Sequence, residues 1–310
     1  MSPVPFRGLV PTTCAFLLAQ TLPGLSQNLS MVDGFNIYVL GDMTESNVDS
    51  EGRVAVAGDA TLTNYGIGTA FSSNPSSAGD ALVVGGSLSY YGGEVHYGNV
   101  VYGDTLSGTP SVPNGTITQD NSLAFDSISS SLIGSSIYWS GVTATGTTSN
   151  NYGGIVLYGS DSSLNVFDVT GSMLSSAWGI TIDVPAGSTV LVNISGTIMD
   201  FDNMGISFAS SNGSATDNQH VLYNFYEATS LSISGISVQG SVLAPLADVS
   251  FGNGNVEGQL IAGNLTGNGE AHNDPFIGNL PIVASTVPEV STAALAGLSG
   301  LLACLRRRRA

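Results

Sequence analysis

The feature that most constrains the fold is an internal repeat with an offset of 18 residues near the end of the chain. The segment VQGSVLAPLADVSFGNGN, which starts at Val238, aligns with VEGQLIAGNLTGNGEAHN, which starts at Val256. Apolar residues and glycines fall in register in the two copies: Val238 with Val256, Gly240 with Gly258, Val242 with Leu260, and Ala244 with Ala262. A repeat of this length suits one coil of a β-solenoid with three short faces, whose coils bury one another's apolar positions.

Short apolar strings followed by glycine-containing turns recur earlier in the chain: RVAVAGDATL (53–62), ALVVGGSLSY (81–90), NVVYGDTLSG (99–108) and GIVLYGSDSSL (154–164). Glycine and asparagine are expected at the corners, where left-handed backbone angles cost least. We therefore predict a mainly β protein that forms a parallel β-solenoid. A β-sandwich with regularly spaced strands is the alternative.

One segment, DNSLAFDSISSSLIGSSIYW (120–139), departs from the strand pattern. It carries large apolar residues at helical spacing: Phe125, Ile128, Leu132 and Trp139. Asp120 or Asn121 is a suitable N-cap for a helix that begins there. We predict one long amphipathic helix packed alongside the solenoid, with its apolar stripe buried as core.

Charge is distributed unevenly along the chain. Between the two terminal segments, Arg53 is the single basic residue against 22 acidic ones, a net charge of −21. Nucleic-acid binding is excluded as a function, because it requires a basic surface. A divalent cation such as Ca²⁺ or a saline medium suits this charge, and ordinary solubility explains it equally well. Both cysteines, Cys14 and Cys304, lie in the terminal segments, so no disulfide is expected in the body.

The two ends of the chain carry targeting features. At the N-terminus, Arg7 precedes an apolar run, which predicts a signal peptide over residues 1–26. At the C-terminus, Val287-Pro288-Glu289 leads into 15 apolar or small residues, followed by a basic cluster of Arg306, Arg307, Arg308 and Arg309. The apolar run is marginal for crossing a bilayer alone, and the arginines would hold it on the cytoplasmic side.

This C-terminal arrangement resembles the PEP-CTERM sorting signal, although Val290 replaces the second proline of the motif. The resemblance implies processing by an exosortase-type enzyme and transient anchoring in the inner membrane through a short transmembrane helix. It further implies export to the cell surface or extracellular matrix of a Gram-negative bacterium.

The body resembles the choice-of-anchor A family of bacterial surface adhesins. The resemblance is carried by FNIYVLGDMTESNVDSEGRVAVAGDATL (35–62) and by residues 221–281. The late half is also similar to ice-binding-type domains, which are β-solenoids with an accompanying helix. Together these resemblances predict a signal peptide (1–26), a choice-of-anchor A solenoid domain (27–284) and a sorting segment (285–310).

No catalytic residues are predicted, and two candidate metal sites are weak. In DFDNMG, Asp200, Asp202 and Asn203 offer oxygen ligands for Ca²⁺, although an exposed acidic turn explains them as well. His272 lies near Glu270 and Asp274, where a small metal site competes with a hydrogen-bonded turn.

Four tyrosines crowd one stretch and form a candidate binding face: Tyr90, Tyr91, Tyr97 and Tyr102. On a solenoid face they would stack on sugars or contact another protein. Alternate tyrosines pointing inward to fill the core is the competing interpretation.

The sequence favours a non-enzymatic, secreted or surface-displayed adhesive or matrix protein that contacts a glycan, a protein or a matrix surface. Ice binding would require regularly stacked threonines, but TLT (61–63), TIT (116–118) and TAT (143–145) do not recur at 18 residues. A polysaccharide-active enzyme would require two carboxylates facing each other across a cleft, which the sequence cannot establish.

Overall fold

A computed structural model describes residues 26–27, 29, 32, 34–120, 122, 124–209, 211 and 215–282. Its N-terminal third contains eleven described strands: β1 (Ser26–Gln27), β2 (Phe35–Val39), β3 (Met43–Ser46), β4 (Asp49–Ser50), β5 (Arg53–Val56), β6 (Ala60–Ile67), β7 (Asp80–Val84), β8 (Leu88–Val95), β9 (Asn99–Tyr102), β10 (Leu106–Gly108) and β11 (Ile117–Gln119). Short 3-10 turns at Thr69–Ser73 and Pro75–Ser77 interrupt this series between β6 and β7.

The remaining described elements begin with a helix and continue as strands: α1 (Asp126–Ser140), β12 (Thr147–Asn151), β13 (Gly154–Tyr158), β14 (Leu164–Thr170), α2 (Gly171–Ser175), β15 (Gly179–Asp183), β16 (Thr189–Ser195), β17 (Ile198–Asp202), β18 (Gly205–Ala209), β19 (Val221–Asn224), β20 (Ser230–Ser234), β21 (Ser237–Gln239), β22 (Ser241–Gly252), β23 (Asn255–Glu257), β24 (Leu260–Gly267), β25 (Glu270–His272) and β26 (Leu280–Pro281). A 3-10 turn at Asn218–His220 precedes β19.

The strands stack in parallel into a solenoid with three faces, which confirms the predicted fold class. The helix face runs β14-β16-β19-β22-β24-β2-β5-β7-β9-β11. A second face, called the ladder face below, runs β17-β20-β22-β24-β3-β6-β8-β10. The third face contains β21, β23, β25, β4 and the later parts of β6 and β8, and a further sheet is formed by β18, β15, β13 and the antiparallel β12.

The repeat read from the sequence is the true coil-to-coil register. Val238 pairs with Val256, Val242 with Leu260, and Ala244 with Ala262. The corner prediction also holds, because asparagines adopt left-handed angles at turns between faces: Asn47, Asn64, Asn203 and Asn253. Left-handed angles are less costly for asparagine than for most residues that carry a side chain.

The coils do not stack in chain order. The N-terminal stack starts at β2 and proceeds away from it to β11, and α1 then carries the chain back along the helix face. The C-terminal stack ends at β24, which pairs with β2 in the middle of the solenoid. Residues of the first coil therefore rest on residues of the last coil, and we call this contact the junction.

Buried polar side chains tie the junction together. Asn36 donates through Nδ2 to the carbonyl oxygens of Gly258 and His272, at 2.7 and 2.9 Å. Its Oδ1 accepts from Ser50 Oγ and from the Gly52 amide. Every polar atom of the Asn36 side chain is thus paired, which a buried amide requires.

Helix α1 covers the helix face across the junction. Its predicted stripe is confirmed as core, since Leu132 and Trp139 are buried and Phe125 and Ile128 pack against the same apolar cluster. The cluster includes outward side chains from both stacks: Tyr38, Ala55, Val166, Leu191, Leu222, Leu243 and Ile261.

The C-terminal half of α1 also makes buried polar contacts. Asn224 donates to the Ser136 carbonyl at 2.9 Å and accepts from the Ser136 hydroxyl at 2.6 Å. Asn193 donates to the Trp139 carbonyl at 3.0 Å. These bonds fix the position of the helix along the sheet, because an unpaired amide at this depth would be costly.

The predicted start of the helix was wrong. It begins at Asp126 with Phe125 at the N-cap, and not at residue 120. The Asp120 carboxylate accepts the Ser122 amide and hydroxyl, so it closes a local turn in place of a helix. Asn121 lies outside the described residues.

A carboxyl group is buried in the core behind the ladder face. The Glu45 side chain points inward from β3, between Gly267 and Leu62 in the neighbouring coils, and is 1% exposed. Neither of its oxygens has a hydrogen-bond partner among the described residues, and the buried Tyr65 hydroxyl also lacks one. Burial raises the pKa of the Glu45 carboxyl to about 8, so the folded protein holds this group protonated at neutral pH.

We expect Asn36→Ala to lower the free energy of unfolding by roughly 3 kcal/mol, because it leaves four buried partners without their hydrogen bonds. Chemical denaturation monitored by circular dichroism measures this change. The exposed Asn151→Ala is the matched control and should change stability by less than about 0.5 kcal/mol. Equal losses in the two variants would contradict a special role for the junction.

We also expect Glu45 to make the fold less stable as pH rises. The unfolded carboxyl ionises near pH 4.5, whereas the folded one keeps its proton to about pH 8. The native state therefore binds more protons between these values, and stability falls across this window by about 4–5 kcal/mol. Glu45→Gln should remove this slope in denaturation midpoints measured from pH 4.5 to 9. The exposed Asp104→Asn should retain it, and a Glu45→Gln slope equal to that of the wild type would refute the assignment.

Candidate binding face

A column of hydroxyl side chains runs along the outside of the ladder face. Seven residues from successive coils stand in direct strand register: Ser232, Ser250, Thr266, Thr44, Thr61, Ser89 and Ser107. All seven are half-buried or exposed, while their neighbours along each strand point into the core. This column is called the hydroxyl ladder below.

The geometry of the sheet sets the spacing of the hydroxyl ladder. Neighbouring strands lie about 4.8 Å apart, so the seven residues span about 29 Å. Period-2 alternation keeps the side chains on one side of the sheet. TLT adds Thr63 beside Thr61, with Leu62 inward between them. The result is an extended, regular surface of small donor–acceptor groups.

Carboxylates and amides form one rim of the ladder face, where they bond from coil to coil. Asn264 Oδ1 accepts the Asp42 amide, Asp42 Oδ1 accepts the Asp59 amide, and Asp59 Oδ1 accepts the Ser87 amide, at 2.7–2.8 Å. Asn264 also donates to Asp248. These acidic side chains stabilise the corner, and they leave the hydroxyl ladder itself uncharged up to Asp200 at its end.

The structure does not bring the four predicted tyrosines onto one face. Tyr90 is fully buried, and its hydroxyl donates to the Tyr65 carbonyl. Tyr102 packs half-buried against the core, and Tyr97 is half-buried. Tyr91 is 55% exposed and lies beside Thr63 on the ladder face. The alternation of a strand therefore divides this tyrosine cluster between core and surface.

The predicted calcium ligands lie at the end of the ladder face. Asp200 and Asp202 both point outward from β17, next to Ser232 and Ser234. Asn203 occupies the left-handed corner that follows, with a φ of 49°. Within the described part of the chain, no group of three or more His, Cys, Asp and Glu side chains is arranged to hold a metal ion.

His272 is paired by carboxylates from neighbouring coils. Its Nδ1 lies 2.9 Å from Glu257 and its Nε2 lies 3.3 Å from Glu270. Asp274 does not join this pair, because its carboxylate accepts from Asn218. Burial opposes protonation of His272, but the Glu257 hydrogen bond and the surrounding carboxylates together raise its pKa. The group forms an ion-paired patch on the third face.

The sorting residues Val287, Pro288 and Glu289 and the cluster Arg306–Arg309 lie outside the described residues, as does the predicted signal peptide up to residue 25. In the part of the chain that the structure describes, no helix is long and apolar enough to span a bilayer.

The hydroxyl ladder was missed in the sequence because its members are not evenly spaced. Thr266 and Thr44 are neighbours across the junction, at opposite ends of the chain. The two 3-10 turns between β6 and β7 lengthen the step from Thr61 to Ser89. Of the three Thr-x-Thr strings, only TLT lies on the ladder face, since TIT reaches β11 on the helix face and TAT precedes β12.

Solved structures that resemble the chain include two ice-binding proteins. One is from the Antarctic ascomycete Antarctomyces psychrotrophicus, with 12% identity, a TM-score of 0.43, and coverage of 80% of this chain and 98% of that one. The other is from an Antarctic biological consortium, with 13% identity, a TM-score of 0.42, and coverage of 86% and 97%. Comparison with curated proteins found no match.

A protein-family model described as "Putative Ice-binding-like adhesive domain" matches residues 28–273. The match takes in both coil stacks, the junction and helix α1. The chain therefore belongs to this family of ice-binding-like adhesive domains.

Proposed function

We propose that this protein is a non-enzymatic adhesive protein of the bacterial surface or extracellular matrix, and that the ladder face is its contact surface. The observation that carries the proposal is the hydroxyl ladder: seven Ser and Thr side chains in register on the outside of a flat sheet. Membership of an adhesive-domain family supports the same function.

The chemistry of the ladder suits weak contacts repeated over a large surface. Each hydroxyl both donates and accepts a hydrogen bond, so the ladder can match many polar partners. Single contacts of this kind contribute little, and regular repetition supplies the avidity. The ladder offers no nucleophile–base pair, which agrees with a non-enzymatic role.

The position of the chain ends supports display from a surface. β1 and β26 pair antiparallel, so the chain enters and leaves the body side by side. Trp139 donates to the Pro281 carbonyl, which places this pair beside the C-terminal end of α1, away from the ladder face. A tail attached through Val287-Pro288-Glu289 and the arginine cluster would leave the hydroxyl ladder open to contact. We assign export, transient inner-membrane anchoring and exosortase-type processing in a Gram-negative bacterium to this tail.

Ice binding is the second candidate, and the hydroxyl ladder favours it over what the sequence alone indicated. Regularly spaced hydroxyls on a flat sheet can order a layer of water, and the family description itself refers to ice-binding-like domains. The two candidates use the same surface, so one pair of variants separates them.

We expect Thr44→Tyr/Thr61→Tyr to abolish surface attachment, because two bulky rings disrupt the flat centre of the ladder while pointing outward. Attachment is measured on abiotic and cell surfaces in a deletion strain of the source bacterium complemented with each variant. Ser130→Tyr, on the exposed side of α1, is the matched control and should attach like the wild type. Purified residues 27–284 carrying the same substitutions are tested in parallel by ice-affinity partitioning.

Attachment that depends on the ladder, together with exclusion from ice, is the expected result. Enrichment in ice that is lost in the double variant would replace adhesion by ice binding as the function. Unchanged attachment in the double variant would remove the ladder from either role.

We expect the C-terminal segment to act as a membrane stop. In a Gram-negative host without a sorting enzyme, the full chain should fractionate with the inner membrane, because the apolar run and the arginines halt transfer. Deletion of residues 285–310 should release the protein into the periplasm, while Glu289→Gln should leave it in the membrane. Recovery of the full chain as soluble periplasmic protein would contradict the anchor.

A further inference from the structure

A second surface, separate from the ladder face, presents aromatic rings to solvent. It is the outward side of the sheet formed by β12, β13, β15 and β18, and we call it the aromatic platform. Tyr152 is fully exposed, Trp178 is 67% exposed and Tyr158 is 46% exposed. Large apolar rings left this open on a folded domain mark contact sites more often than structural ones.

Trp178 is held rigidly over a floor of glycine. Its indole Nε1 donates to the Tyr152 carbonyl and its backbone amide donates to the Gly153 carbonyl, both at 3.0 Å. A Cβ at Gly154 would lie 2.7 Å from the indole, so only glycine lets the ring rest on the backbone there. One face of the indole is therefore covered by the turn, while the rest of the ring stays open to solvent.

Tyr152 occupies a position that folding alone does not favour. It forms a two-residue hairpin turn with Gly153 between β12 and β13, and both residues have positive φ, 52° and 89°. Asparagine followed by glycine is the preferred pair in such a turn. A tyrosine is strained at this angle, and its exposed ring makes no packing contact that would compensate. Strain of this kind, retained without a packing benefit, points to a contact made by the ring itself.

Hydroxyl groups lie between the aromatic ends of the platform. Val156, Thr181 and Ser207 stand in register in the central outward row, and the Thr181 and Ser207 hydroxyl oxygens are 3.4 Å apart. Tyr158 and Asp183 follow two residues further along the strands. Four residues separate Gly154, beneath Trp178, from Tyr158, so the aromatic ends lie about 13 Å apart.

We propose that the aromatic platform binds a neutral polysaccharide chain that runs along the strands. The C–H faces of sugar rings would stack on Trp178 and Tyr158, and the Thr181 and Ser207 hydroxyls would bond sugar hydroxyls between them. Anionic glycans are disfavoured, because the chain carries a net charge of −17 and the platform contributes Asp183 and no cation among the described residues. This deepens the proposed adhesive function by naming a ligand class and a separate site.

Tryptophan fluorescence tests the proposal directly. The chain has two tryptophans, and Trp139 is buried, so acrylamide quenching reports on Trp178. The full chain, in a polyoxyethylene detergent without a sugar headgroup, is titrated with hydroxyethylcellulose, laminarin, dextran or galactomannan. We expect at least one to lower the quenching constant roughly twofold, because a bound chain covers the open face of the indole. Alginate and hyaluronate should not lower it.

Affinity electrophoresis in gels containing the same polysaccharides compares the variants. Trp178→Ala and Tyr152→Asn should lose retardation, while Thr44→Tyr/Thr61→Tyr should keep it, so the platform and the ladder can fail separately. Tyr152→Asn controls for folding, because asparagine suits the turn and the thermal midpoint should hold or rise. Protection of Trp178 by none of the neutral polysaccharides, equal protection by anionic ones, or wild-type retardation of both platform variants would overturn the proposal.

Discussion

The structure depends on in-register stacking at the junction between the first and last coils. A solenoid coil cannot bury its inward residues alone, so each coil is stable only against its neighbours. The pairing of β2 with β24 joins two stacks that would otherwise each expose an open end. Because residues near 37 meet residues near 260, this contact closes a very long loop. The contact order is high, and the N-terminal stack completes its burial only after the C-terminal coils exist.

Helix α1 makes the junction a continuous surface. Phe125 packs on Tyr38 in the first coil, with ring centroids 6.0 Å apart. At the other end, Ser136 and Trp139 bond to Asn224 and Asn193 in the C-terminal stack. The helix therefore spans both stacks and excludes water from the outer side of the helix face. Its burial also leaves the two other faces of the solenoid free, so the fold confines contact surfaces to the sides that α1 does not cover.

Local patterns in the sequence predicted the features that depend on near neighbours. The register of Val238 with Val256 was visible because the two coils are consecutive and equal in length. The apolar stripe of α1 was visible because it has the helical period. The hydroxyl ladder was not visible, because Thr44 gains its neighbour Thr266 only through the junction. The start of α1 was misplaced because the Asp120 carboxylate serves a turn as readily as a helix cap. Tyr90 and Tyr91 show the same limit, since adjacent positions on a strand have opposite environments.

Outward positions on this scaffold carry little of the folding load, and their residues therefore reveal what the surface is used for. On the ladder face the outward residues are small and mostly uncharged, which suits a broad and regular partner. On the aromatic platform they are large, and Tyr152 stands at a backbone angle that disfavours it. A protein selected for stability alone would place asparagine in that turn. The two faces therefore differ in chemistry although the same stacking rule builds both, and a surface-displayed solenoid can present them to different partners at the same time.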